Sequence, residues 1–251
     1  MNPSTLRRGR ARVAAVGMRK NVQAPRNAAA TRRAAPVWLF DLDNTLHDAS
    51  HAIFSTIDRR MTDYVERELG VERGEANRLR TLYWRRYGAT LLGLVRHHGI
   101  DPHHFLRETH DFDVAELLRA ERGLVRLFSR LPGRKVLLTN APLAYAGSVL
   151  RELSLHRHFR TRYSIERMRV HGTYRPKPSR LMLRSMVARE RIRPSAAVLV
   201  EDSVTNLKAA RSLGMRTVLI TRHGASAARR SWAAVGLRIS SLHELARRFP
   251  R

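Results

Sequence analysis

The sequence predicts an α/β protein: a parallel sheet with helices between its strands and a helical insert after the first strand. Three observations carry this. Short apolar runs end in polar or acidic residues at Asp41, Thr139 and Asp202, with helical stretches between them. The connection from Asp41 to Lys135 is far longer than a simple crossover needs. The 251 residues, 43% of them apolar, suffice for one large domain or a core with a smaller insert.

Residues 1–35 hold nine Lys/Arg and no Asp or Glu, with Ala, Pro and Asn between. They read as a disordered basic tail. The composition is similar to an organellar transit peptide, and Met18 would be an alternative start. No apolar region of a secretory signal follows the Arg7-Arg8 pair. The expectation is a leader on a cytoplasmic protein.

Val37-Trp-Leu-Phe reads as the first strand, followed at once by Asp41 and Asp43. Residues i and i+2 of an extended chain share a face, so both acids point into one space at the strand's carboxyl end, where open α/β sheets bind ligands. Two close carboxylates call for a cation or a shared proton. A calcium loop of the EF-hand kind would need Gly and Glu where Leu46 and Ala52 stand.

The insert is expected over residues 51–131. Ile53, Ile57, Met61, Val65 and Leu69 are spaced for one helix, and Leu79, Leu82, Tyr83, Arg86 and Thr90 continue that spacing over 75–97. Tyr83, Arg86, Tyr87 and Thr90 fall three and four apart, which sets an aromatic and cationic group on one helical face. Such a face could stack a base or simply pack. Asp101-Pro102 starts a further segment, and Val114–Leu131 reads as one or two more helices. His97, His98, His103, His104 and His110 show no metal-binding spacing.

The core resumes at residue 132 and runs to 251, completing a part begun at 36–50. Lys135–Leu138 reads as a strand ending in Thr139 and Asn140, before a helix over 142–154. A weaker strand is expected near Tyr163-Ser-Ile165. Lys177 lies between two prolines that fix the local backbone, ahead of a helical stretch. Ala197-Val-Leu-Val ends in Glu201 and Asp202. A helix over 203–213 stops at Gly214, Thr217–Ile220 reads as a strand, and Leu242–Arg248 as a last short helix.

The formal net charge is +27, yet only four of the 48 cations are lysines. That bias resembles GC-rich codon usage, so a solvated basic surface is favoured over nucleic-acid contact through the tail. Cysteine is absent, which excludes disulfides, thiolate zinc sites and cysteine nucleophiles. No run of about eighteen apolar residues marks a membrane span.

Acids, hydroxyl, lysine and acidic pair, in this order, resemble the four motifs of the haloacid dehalogenase (HAD) superfamily of phosphohydrolases over residues 36–248. The resemblance implies a Rossmannoid parallel sheet with an inserted α-helical cap of the C1 type. It implies Asp41 as a nucleophile that forms an acyl phosphate, and Asp43 as general acid and then base. Thr139 would bond a phosphoryl oxygen, with the N–H groups of Leu42, Asn44 and Asn140 as further donors. Lys177 would neutralise phosphate and Asp41 together, with Asn206, in the next helix turn after Asp202, orienting it. Asp202 and Glu201 would bind Mg²⁺ beside Asp41, with the Asp43 backbone carbonyl as a further ligand. Asp41-Leu-Asp-Asn-Thr-Leu-His47 and Tyr87-Gly-Ala-Thr-Leu-Leu-Gly-Leu94 look like the pyrimidine 5′-nucleotidase branch.

The implied function is Mg²⁺-dependent hydrolysis of a small phosphomonoester, a pyrimidine nucleoside 5′-monophosphate, with Tyr83, Arg86 and Tyr87 reading the leaving group. A dehalogenase would lack Asp43, and a phosphonatase would need a lysine somewhere in 46–134, where none occurs. A sugar phosphomutase or a phosphoglycolate phosphatase would share all four motifs. From a different class, a nucleic-acid-binding protein on the same scaffold remains the alternative.

Overall fold

The computed structural model describes residues 35–223 and 235–249. The expected basic tail lies outside them, Ala35 apart.

Six parallel strands form the central sheet, in the order Thr161–Tyr163 (β3), Arg134–Leu138 (β2), Val37–Phe40 (β1), Ala197–Glu201 (β6), Arg216–Ile220 (β7) and Leu237–Ile239 (β8). Side chains alternate across the sheet, so β1 sends Trp38 and Phe40 to one face and Leu39 to the other, all fully buried. Helices cover both faces, which is why these strands are continuous apolar runs. Leu143–Glu152 (α6), Leu124–Arg130 (α5) and His243–Arg248 (α9) pack with Trp38 and Phe40. Arg180–Arg189 (α7) and Val204–Arg211 (α8) pack with Leu39, Val136 and Leu199. Full burial of each such Leu or Phe contributes about 1.5–3 kcal/mol. A two-residue hairpin, Arg169–Val170 (β4) with Thr173–Tyr174 (β5), stands apart from the sheet.

Four helices are inserted between β1 and α5: Ile53–Leu69 (α1), Arg73–Tyr87 (α2), Thr90–His98 (α3) and Pro102–His110 (α4). Their own core joins Tyr64, Val65, Tyr83, Leu94 and Phe105, and reaches Ile165 and Tyr174 on the sheet side. The single helix expected over 75–97 breaks at Gly88, whose φ of 83° ends α2 in the left-handed region. The chain then doubles back, and α3 lies so close to α2 that a Cβ at Gly93 would overlap the Tyr83 ring.

The segment expected as one or two helices over 114–131 is helical only over α5. That helix packs on the sheet rather than in the insert, with Phe128 5.0 Å from Phe40 and 5.3 Å from Phe159 between ring centroids. The two linkers to the inserted helices are tied where Asp48 N–H donates to Arg119 O at 2.6 Å.

Candidate active site

β1, β2 and β6 are neighbours and end side by side. The chain runs outward from β1 to β3, returns to β6 on the other side of β1, and so creates a switch point at the carboxyl edge. Asp41 N–H donates to Val200 O at 3.1 Å and Thr139 N–H to Tyr163 O at 2.9 Å, so both residues continue the ladders of their strands. Asn44 then turns the chain with φ 58°, a conformation Asn tolerates, and its side-chain amide ties to Ser50 at 2.9 and 3.1 Å.

Lys177 Nζ donates to Asp41 Oδ1 at 2.6 Å and to Glu201 Oε2 at 2.8 Å, with all three side chains buried. Asn140 orients that lysine: its Nδ2 donates to Lys177 O at 3.1 Å and its Oδ1 accepts from Lys177 N–H at 2.8 Å. The orienting part expected of Asn206 thus belongs to Asn140, while Asn206 lines the cavity. Thr139 Oγ1 accepts from Ala141 N–H at 3.0 Å, which leaves its hydroxyl proton for a ligand.

Burial is the first cause of the electrostatics here. It pushes Asp41 well above the usual carboxylate range, with Glu201 adding to the shift and Lys177 opposing it. It likewise raises Glu201 and Asp202. For Lys177, burial disfavours the charge, but Asp41 and Glu201 outweigh it and hold the ammonium above the ordinary lysine range. Burial would raise Asp43 also, yet hydrogen bonds from His47 and Tyr145 bring it below its usual value.

Asp41, Glu201 and Asp202 each offer an oxygen, and these lie within 4.8 Å of one another. Three carboxylates against one ammonium leave a formal charge of −2 at this point. That balance and the all-oxygen donor set fit one hard divalent cation.

Above the acids opens a cavity of about 590 Å³. Its floor holds Asp41, Asp43, Thr139, Asn140 and Lys177, and its roof is formed by the inserted helices.

Residues 37–214 match the family model described as haloacid dehalogenase-like hydrolase. The chain belongs to this family. A HAD phosphatase from Thermococcus onnurineus is similar in structure, with a TM-score of 0.59 at 20% identity, covering 84% of this chain and 96% of that one. The putative HAD-hydrolase YfnB from Bacillus subtilis, solved bound to magnesium, gives a TM-score of 0.55 at 15% identity, covering 86% and 98%. Phosphate metabolism protein 8 of Saccharomyces cerevisiae is 34% identical over 68 residues, which are 27% of this chain and only 21% of that protein.

In this HAD-like hydrolase the residues expected at the strand ends meet at the cavity, whereas those expected on the insert meet one another and do not line it. Tyr83, Arg86 and Tyr87 share the α2 face next to α3. The Tyr83 ring stacks on His97 at 5.5 Å and its hydroxyl pairs with His98 at 2.7 Å. Tyr87 pairs with His97 at 2.6 Å beneath the Arg86 and Arg96 guanidinium groups. The cavity instead meets Arg80, Thr81 and Trp84 of α2, with Thr90, Phe54 and His110. Spacing of three and four says which residues share a face, not which face meets the cavity.

Three further polar residues at the site were given no role by the sequence: His47, which closes the first motif, and Tyr145, both bonded to Asp43, and His110, which showed no metal-binding spacing. Burial lowers His110 to about 4, against the pull of Asp43. Tyr145 lies in the first turn of α6, the helix after the Thr139 strand, and only the three-dimensional fold brings it to Asp43.

Proposed function

We propose that this protein is a Mg²⁺-dependent phosphomonoester hydrolase that works through an aspartyl phosphate on Asp41. We read α1–α4 as a C1-type cap and a pyrimidine nucleoside 5′-monophosphate as the substrate. The observation that carries the reading is the buried Lys177 ammonium, 2.6 Å from Asp41 and 2.8 Å from Glu201, at the point where the Thr139 hydroxyl also turns inward. A nucleophilic carboxylate, a fixed cation and a free donor at one spot suit a phosphoryl group and little else.

Asp41 attacks phosphorus as the ester oxygen departs, and Asp43 gives that oxygen a proton. The resting Asp43 is held as a carboxylate, and an arriving phosphate dianion favours its protonation. As carboxylate again, Asp43 takes a proton from the water that opens the aspartyl phosphate. Lys177 and Thr139 hold the phosphoryl oxygens throughout. Asp41, Glu201, Asp202 and the Asp43 backbone carbonyl would hold Mg²⁺, which when bound supplies charge neutralisation between substrate and acids.

The finer reading of the substrate is supported by the roof. The cavity volume lies within the range of small-molecule sites. Phe54 and Trp84 line it while 38% and 60% exposed, so two aromatic faces await a flat group.

A phosphate-release screen tests this. Activity is expected with Mg²⁺, lost in EDTA, lost in Asp41→Asn, and highest on UMP or CMP. Full turnover by metal-free protein or by pure Asp41→Asn protein would sink the mechanism. A preference for phosphoglycolate or a sugar phosphate would remove the nucleotidase assignment alone.

A further inference from the structure

Asp43 is held by one carboxylate oxygen. Its Oδ1 accepts from the Tyr145 hydroxyl at 2.7 Å and pairs with His47 Nε2 at 3.0 Å. Oδ2 takes part in neither bond, and the side chain keeps 19% of its surface open on the cavity. Both holders are fixed in place. His47 is fully buried and Tyr145 is 2% exposed. The Tyr145 ring is packed at 5.7 Å against His110 and 6.1 Å against Phe112, both from the chain between β1 and β2. His47 Nδ1 is buried without a partner, which suits a bare lone pair better than an N–H and sets the proton on Nε2, facing Asp43.

We propose that Tyr145 and His47 are positioning residues that occupy Oδ1 and so make Oδ2 the oxygen through which Asp43 exchanges protons. The inference rests on the reading of Asp43 as general acid and base. In the first step an Asp41 oxygen bonds to phosphorus as the bond from phosphorus to the ester oxygen breaks. The electron pair goes to the ester oxygen, the Oδ2 proton follows it, and an alcohol departs. In the second step water bonds to phosphorus, its proton passes to Oδ2, and the bond to Asp41 breaks to release phosphate. A carboxyl group free to rotate would offer either oxygen at poor angles, and misplacement by about 1 Å costs on the order of 10²-fold.

The test is the dependence of kcat/KM on the leaving group. An alkyl phosphate needs the proton, whereas 2,4-dinitrophenyl phosphate leaves without it. Tyr145→Phe keeps the packed ring and removes the hydroxyl. It is expected to lower kcat/KM by roughly 10–100-fold on the alkyl ester and by no more than about threefold on the dinitrophenyl ester. His47→Gln, which can still donate, should lie nearer wild type than His47→Leu, and His47→Leu should show the Tyr145→Phe pattern. Equal losses on both esters, or none on either, would overturn the proposal. Asp43→Asn separates the two ideas. If it steepens the leaving-group dependence and Tyr145→Phe does not, the clamp falls while the acid/base reading stands. If Asp43→Asn leaves that dependence unchanged, the acid/base reading falls and the clamp with it.

Discussion

Lys177 shares one ammonium between two buried carboxylates, so its removal leaves two charges without a partner rather than one. Breaking a buried pair of this kind costs about 3–5 kcal/mol. Lys177→Met is therefore expected to lose activity and to unfold at clearly lower urea in chelator. The loss should shrink at acid pH, because Asp41 and Glu201 already have raised values and protonate readily once the ammonium is gone. An undiminished urea midpoint at pH 8 would show that the lysine is not a structural counter-charge. Lys177 was legible in the sequence because two prolines frame it and no other lysine occurs from 136 to 207. Tyr145 was not, since its partner Asp43 is 102 positions away and an isolated tyrosine on a helix ordinarily packs. Asn140 was legible as a site residue but not as the clamp on Lys177, a bond that closes over 37 positions.

The paired helices α2 and α3 set what the cavity shows to a substrate. Trp84→Ala is expected to lower kcat/KM on UMP and CMP by about one to two decades, since base stacking is worth about 1–3 kcal/mol. Acetyl phosphate, which has no base, should be hydrolysed as by wild type. Tyr87→Ala should change the ratio of the two substrates little, because Tyr87 is engaged with His97. Loss of both substrates on Trp84→Ala would mean that Trp84 packs the roof without reading a ligand. Gly93→Ala should push α3 off Tyr83 and destabilise by about 1–3 kcal/mol, read from a urea melt. At this scale the strands were plain in the sequence, as apolar runs with polar ends. The helix break at Gly88 was hidden by apolar spacing that runs through it. The short strands β4, β5 and β8 carry two or three residues each, too few for alternation to register.

For the whole molecule, the three acids at the sheet edge are expected to couple metal to stability. Asp41, Glu201 and Asp202 have ordinary values of 3.8, 4.5 and 3.8, all raised in the folded protein. Between those values and the raised ones the folded chain binds protons that the unfolded chain does not. Stability of the metal-free protein therefore falls as pH rises through that window. A divalent cation relieves the same repulsion, so Mg²⁺ should raise Tm more at pH 7.5 than at pH 5. A shift that is equal at both values, or absent, would separate these acids from metal binding. No helix among the described residues is long and apolar enough to cross a membrane. The contact between Lys177 and Asp41 spans 136 positions of chain, and the partner of both, Glu201, comes 24 later. A cut anywhere between Asp41 and Lys177 yields two pieces, neither of which holds a working set of groups. Activity is then expected to report a completed sheet edge: a chain still being made, or one clipped and with its pieces parted, should be silent, and the first turnover should date the moment at which β6 has joined β1.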